Sequence, residues 1–287
     1  MSKKASADQI VRYGGGIAAL VLVGYLGISY KYFNHVPIGC MESYPQVVRF
    51  GLESSDGLPI SMIELQARAG REERGLMQNA RIANVDNAPV SRVLDVNLGR
   101  ADVADPESAM GINFPWRPDG IQNARSACLR YSVFFPQDFT FSVPGVLPGI
   151  FGGATPTQSD ATSENSFALN ARWSRDGDMM FIAQSKALPD NGKLLVNPMT
   201  RVHLQAGRWV TLEQELVLNT PGASDGEVVI WLDGVKVIES KGIKLRDGEI
   251  PGIDGVSTTI GFAGTSREIA SSAQVHMQIT PIDFAWR

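Results

Sequence analysis

The chain has 287 residues, 44% of them hydrophobic and 20% charged, with 29 Gly, 16 Pro, only 2 Cys and a formal net charge of -4. That apolar content excludes a disordered chain, and two cysteines exclude a disulfide-built miniprotein. The even charge, without a basic block, excludes a nucleic-acid binder that works by counterion release.

Residues 1–12 carry Lys3, Lys4 and Arg12 against Asp8, and 18 uncharged residues run from Tyr13 to Tyr30 before Lys31. At about 1.5 Å per residue such a run crosses roughly 30 Å of hydrocarbon, which predicts a transmembrane helix over 13–33. Tyr13 at one end, and Tyr30, Tyr32 and Phe33 at the other, suit the interfacial aromatic belts. The positive-inside rule then leaves 1–12 in the cytoplasm. The expected address is the bacterial inner membrane, single-pass, with the C-terminal domain in the periplasm. A cleaved signal peptide is the competing reading, but SYKYFNHVP offers no small-x-small site close behind the apolar run. Gly14, Gly15, Ala18, Ala19 and Gly24 give the span small residues, partly at the i, i+4 spacing that lets helices approach closely in lipid. Other membrane-protein subunits are the partners this implies; the alternative is that small residues are simply common in spans.

Residues 34–89 read as a stem and an N-terminal extension packed on the folded domain. The segment ARAGREERGLMQ is either a short helix or an exposed loop, and its Arg71, Glu72, Glu73 and Arg74 balance to a solvated face. Cys40 and Cys128 both fall on the oxidising side of the membrane, so one disulfide tying stem to domain is expected, with two buried thiols as the alternative.

From Val90 onward short alternating runs, RVLDVNL, LRYSVFF, FALNARW, DMMFIAQ, WVTLEQELVL, EVVIWLD and VHMQITPIDFAW, are bounded by Gly, Pro, Asn or Asp. Asp-Gly pairs at Asp56, Asp119, Asp176, Asp225, Asp233, Asp247 and Asp254 supply tight turns. With no long amphipathic helix between them, the runs predict a mainly β antiparallel sandwich of the jelly-roll, concanavalin-like kind over 90–287. No nucleophile elbow, phosphate-binding loop, CxxC or HExxH occurs. His35, His203 and His276 lack ligand spacing, so no metal and no cofactor are expected.

Five segments stand in a fixed order: LRYSVFFPQDFTF, GVLPGIFGG, FALNARWSRDG, the block GRWVTLEQELVLNTPGASDGEVVIWLDG and GIDGVSTTIGFAG. Together they resemble polysaccharide lyase family 14, the alginate and glucuronan lyase type, over roughly 90–287. The resemblance implies a jelly-roll sandwich that cleaves acidic polysaccharide by β-elimination. That reaction needs a cation or strong donor to neutralise the C5 carboxylate, a base for the C5 proton and an acid for the leaving oxygen. The resemblance assigns these jobs to a Lys before Leu-Pro-Gly, a Ser and an Arg on the next strand, and a Tyr-x-Tyr pair on the one after.

Matched by position, Val146 replaces the Lys, Ala168 the Ser and Asn170 the Arg, while Phe181 and Ala183 stand where the Tyr pair is expected. No acid or base remains there, which implies a pseudoenzyme. Arg172 and Tyr131 are the candidates for residual groove binding. Arg172 shares a strand face with Ala168 and Asn170 and either holds a carboxylate or pairs across strands. Trp209 and Trp231 either stack on sugars or pack in the core. Glu213 and Glu215 share a face but belong to the TLEQ block, so a structural role is expected rather than a catalytic pair. The stretch 154–165 is expected as a loop near the groove mouth. The resulting expectation is a non-catalytic, membrane-anchored subunit whose ligand is either other subunits of a membrane assembly or an acidic polysaccharide in the old groove. An active or glycan-binding lyase is the alternative.

Overall fold

The computed structural model describes residues 39–99, 111–154, 165–196, 201–248, 251–263 and 275–287, together with Gly24. The predicted span 13–33, its packing residues Gly14, Gly15, Ala18 and Ala19, and His35 lie outside the described residues, Gly24 excepted. Among the described residues no helix is long and apolar enough to cross a membrane. Contacts separate residues 1–38 from Gly39–Arg287, and only the latter is described below.

The alternating runs become strands. In chain order these are β1 (Val48–Phe50), β2 (Ala80–Ala83), β3 (Val93–Leu98), β4 (Pro115–Trp116), β5 (Ser126–Phe134), β6 (Gly145–Gly152), β7 (Phe167–Trp173) and β8 (Met179–Ser185). They continue with β9 (Gly192–Leu195), β10 (Trp209–Val217), β11 (Gly226–Leu232), β12 (Val235–Ile243), β13 (Gly255–Ser257), β14 (Gly261–Phe262), β15 (Val275–Ile279) and β16 (Ile282–Trp286). One antiparallel sheet has nine strands in the order β12-β11-β10-β5-β15-β3-β2, with β16 beside both β5 and β1. The other has seven, β4-β13-β6-β7-β8-β9, with β14 beside β6. Pro281, which has no N–H to donate, separates β15 from β16, and the two share one edge of β5.

The two sheets form a mainly β antiparallel sandwich. Between them lie Leu129, Tyr131, Val133, Leu212 and Leu216 from the larger sheet and Leu169, Ala171, Trp173, Phe181 and Ala183 from the smaller. Trp173 is fully buried, and its indole N–H donates to the Val143 carbonyl at 3.0 Å. A Cβ on Gly145 would lie 1.8 Å from the Trp173 ring, so glycine is required where β6 passes it. Asp233 and Gly234, both at positive φ, make the two-residue turn between β11 and β12.

The expected boundary at residue 90 is not a boundary. Within 39–89, β1 pairs with β16 and β2 pairs with β3, so the extension supplies strands to the larger sheet rather than packing on it. Two helices precede β2, α1 (Met62–Ala69) and α2 (Leu76–Asn79), and the polar segment 67–78 holds the end of the first, the turn between them and most of the second. Ser61 caps α1 by accepting from the Glu64 N–H at 3.1 Å, while Leu65 and Ala69 turn its apolar side into the core.

Candidate functional site

Alternation along β7 sends Phe167, Leu169, Ala171 and Trp173 into the core and Ala168, Asn170 and Arg172 to the outer face of the seven-stranded sheet. Cross-strand register then builds three rows on that face. Val146, Arg172 and Met180 form one; Asn170, Ile182 and Leu194 the second; Phe151, Ala168 and Gln184 the third. Of these side chains only Arg172 is ionisable. Asn170 and Gln184 are buried, and the Asn170 amide donates to Gln184 Oε1 at 3.1 Å. A Cβ on Gly149 would lie 2.7 Å from Asn170 Oδ1 and closer still to the Leu169 carbonyl, so the Leu-Pro-Gly glycine lets β6 pass under Asn170. Arg117 covers one end, its guanidinium 5.0 Å from the centre of the Phe151 ring.

The register corrects the placing of the Tyr pair. Phe181 and Ala183 are fully buried between the sheets, opposite Ala171 and Leu169. The outward positions of β8 are Met180; Ile182, directly across from Asn170; and Gln184, directly across from Ala168. A shift of one residue exchanges the two faces of a strand, and both faces of MMFIAQS are rich in apolar residues, so alternation could not fix the phase.

Tyr131 is also corrected. It lies in the core, and its hydroxyl donates to the Pro148 carbonyl at 2.9 Å. The Gln214 amide donates to the same carbonyl at 2.9 Å. Tyr131 and Gln214 therefore grip the irregular stretch of β6 between Leu147 and Ile150 from inside and line no groove. Burial pushes the Tyr131 pKa well above its ordinary value. Arg172 has Val146 and Met180 as register neighbours rather than a carboxylate, and it is engaged by other groups of the chain.

On the opposite sheet, Cys40 and Cys128 are joined by a disulfide across a separation of 88 residues, Cα to Cα 5.8 Å. Around it, Glu213 Oε2 accepts from the Met41 N–H at 3.1 Å, and the Tyr44 hydroxyl donates to Glu215 Oε1 at 3.2 Å. A Cβ on Gly39 would strike the Glu213 carboxylate. The two glutamates of the TLEQ block thus hold the segment that leads into the domain. Burial raises the Glu215 pKa, against the lowering effect of the hydrogen bond from Tyr44; burial likewise pushes the Tyr44 pKa up to about 12. Cys40, Cys128 and Glu213 bring ligand atoms within 4.8 Å of one another, but disulfide sulfurs offer a metal no thiolate.

Neither Trp209 nor Trp231 is in the core. Both stand on the outer face of the nine-stranded sheet, Trp209 against Phe134 with ring centres 5.3 Å apart and Trp231 against the disulfide cluster. Stacking on the other sheet, beside Arg172, is therefore not their role. His203 meets Asp178 at 3.3 Å and His276 meets Asp95 at 2.7 Å. Of the stretch 154–165, residues 155–164 lie outside the described residues. Sequence reasoning missed Asn219, which reads as a turn residue in Asn-Thr-Pro-Gly. Its Oδ1 accepts from the Leu245 and Arg246 N–H groups while its amide donates to the Thr220, Ala223 and Arg246 carbonyls, tying the turn to the strand end after β12.

A sandwich whose smaller sheet carries its family motifs on β6, β7 and β8 is a fold shared with solved lyases. The marine PL-14 alginate lyase from Aplysia kurodai superposes with a TM-score of 0.66 at 18% identity, covering 85% of this chain and 99% of that one. Alginate lyase vAL-1 from Chlorella virus gives 0.61 at 18% identity, covering 78% and 97%. The endo-beta-1,4-glucuronan lyase from the fungus Trichoderma reesei gives 0.52 at 8% identity, covering 84% and 95%. No curated protein matches the chain by sequence. The model of the family Polysaccharide lyase 14 matches residues 87–281, and the chain belongs to that family.

Proposed function

We propose that this chain is a non-catalytic member of the family, a jelly roll reused as an accessory or binding subunit of a membrane assembly. A span over 13–33 would hold it on the outer side of a bacterial inner membrane. The observation that carries the reading is the composition of the face built by β6, β7 and β8. Val146, Ala168 and Asn170, which the family resemblance sets where β-elimination needs a cation and a proton-transfer group, share that face with Ile182 and Gln184 from β8. Valine and isoleucine exchange no proton, and neutral amides neither take nor release one near neutral pH. What is left is a face whose polar groups are Asn170, Gln184 and Arg172, and an acidic polysaccharide is the ligand those groups would suit.

Family membership favours a second reading, an active lyase in which Arg172 neutralises the uronate carboxylate and groups from elsewhere in the chain move the protons. One experiment separates the two. Full-length protein is purified in mild detergent, assayed for unsaturated uronate products on alginate and glucuronan, and its co-purifying chains are identified by mass spectrometry. Stoichiometric membrane partners and no product are expected. A lone protein that generates unsaturated uronate would overturn the non-catalytic reading. Protection of Lys31 and its neighbours from protease only in intact spheroplasts would contradict the predicted orientation.

A further inference from the structure

The outer face of the nine-stranded sheet carries a row that neither the family motifs nor the proposed function uses. Register places Trp209 opposite Phe134, Phe134 opposite Gln278, Gln278 opposite Asp95 and Asp95 opposite Arg81. The row crosses β10, β5, β15, β3 and β2 in one line, about 19 Å from end to end at the ordinary spacing of strands. All five side chains point away from the core, because Met277, Ile279, Leu94, Val96 and Val133, which alternate with members of the row, point into it.

Each part of the row offers a different contact. Trp209 and Phe134, both partly exposed, lie ring against ring at 5.3 Å and form an aromatic step. Gln278 is only 9% exposed, and its Oε1 is a buried acceptor with no hydrogen-bond partner. An orphaned buried carbonyl oxygen is costly unless a donor from outside completes it. Asp95 is buried at 4% exposure and is itself saturated. Its Oδ2 accepts from Arg81 Nε at 2.9 Å and Nη2 at 2.7 Å, and its Oδ1 faces His276 Nδ1 at 2.7 Å. Asp95 thereby fixes two outward groups, since the Arg81 side chain remains 74% and that of His276 42% exposed.

We infer that this row is a second carbohydrate-binding site, on the sheet opposite the family groove, and that it takes an acidic oligosaccharide. The apolar C–H face of a pyranose stacks on Trp209, a ring hydroxyl donates to Gln278 Oε1, and a carboxylate further along the chain meets the guanidinium of Arg81 with His276 beside it. An extended saccharide is the ligand whose parts repeat in this sequence along a flat line: apolar ring faces, hydroxyl donors and a negative charge.

The test titrates alginate tetrasaccharide, with cellotetraose as the neutral comparison, into the full-length protein in detergent, read by calorimetry and tryptophan fluorescence. Trp209→Ala and Arg81→Ala are each expected to weaken alginate tetrasaccharide by about tenfold, the scale of one lost stacked ring or charge-assisted hydrogen bond, and Trp209→Phe to retain most of the affinity. Because Arg81→Ala also strips the buried Asp95 of a partner, Arg81→Gln, which keeps an N–H donor for Asp95 and loses the cation, is titrated beside it and is expected to weaken alginate tetrasaccharide equally. Undetectable binding, unchanged affinity in Arg81→Ala and Trp209→Ala, or loss confined to Asn170→Ala/Gln184→Ala would each overturn the site. Equal affinity for cellotetraose would overturn its acidic specificity. None of these outcomes depends on whether the groove is catalytic.

Discussion

The outer faces of the two sheets are opposite in electrostatic character although the same core supports both. Across the larger sheet charges are kept and paired: Asp283 is gripped by Arg49 and Arg130, Asp95 by Arg81 and His276, and Glu213 and Glu215 hold the segment that enters the domain. Across β6, β7 and β8 the rows are apolar or neutral except for Arg172. A buried carboxylate persists only where partners offset its desolvation, and structural networks supply those partners locally. The rows on β6, β7 and β8 hold no ionisable side chain but Arg172, while Gly149 and the buried Asn170 and Gln184 amides fit closely together, so on this face packing rather than charge pairing sets the sequence.

The largest test of this contrast is removal of the disulfide. Cys40→Ser/Cys128→Ser opens an 88-residue separation, and the chain-entropy argument predicts a loss of about 4.6 kcal/mol in urea unfolding. A loss well under 1 kcal/mol would show that Glu213 and Glu215 hold the entering segment unaided. Next is the pair Phe181→Tyr and Ile182→Tyr. The first buries a hydroxyl between the sheets and should cost about 1–3 kcal/mol, while the second places it on the outer face and should cost less. The reverse order would restore Phe181 and Ala183 to the groove. Asp283→Asn breaks a shared pair whose arginines are partly exposed, and about 1–2 kcal/mol is expected after allowing for solvent screening. The smallest effect concerns pH. Because the folded Tyr44 pKa is raised to about 12, the folded chain keeps a proton that the unfolded chain releases near pH 10. Stability therefore falls as pH rises between those values. Tyr44→Phe should flatten that slope in urea titrations from pH 9 upward; an unchanged slope would place the titration elsewhere.

Much of the sandwich is legible where one strand face is apolar and the other is not. In LRYSVFF, Leu129, Tyr131 and Val133 alternate with Arg130 and Ser132, and this pattern already put Tyr131 on the core side; assigning it to a groove ignored the alternation. β12, by contrast, is an edge strand bearing Lys236, Glu239 and Lys241, and such charged edges do not read as strands. β6 is buried along its whole length yet contains Gly and Pro, which read as a turn because their function is close approach to Trp173 and Asn170. β1 and β2 are too short for a periodic signal and exist through their pairing with β16 and β3. That Ala168, Asn170 and Arg172 share the outer face of β7 was legible from strand alternation. The outward side of β8 was not legible, since Met180 and Ile182 are as apolar as the core residues beside them.

The pairing of β1 with β16 also sets a schedule for synthesis. Arg49 and Asp283 are 234 residues apart, an interval of roughly 12–47 s at about 5–20 residues per second. Once made, β3 and β5 lack the edge partners β15 and β16 until the end of that interval, and the larger sheet is incomplete until then. A nascent chain held at a surface during this wait is kept apart from its copies, so tethering ahead of Gly39 would protect these open edges from one another before the last strands arrive.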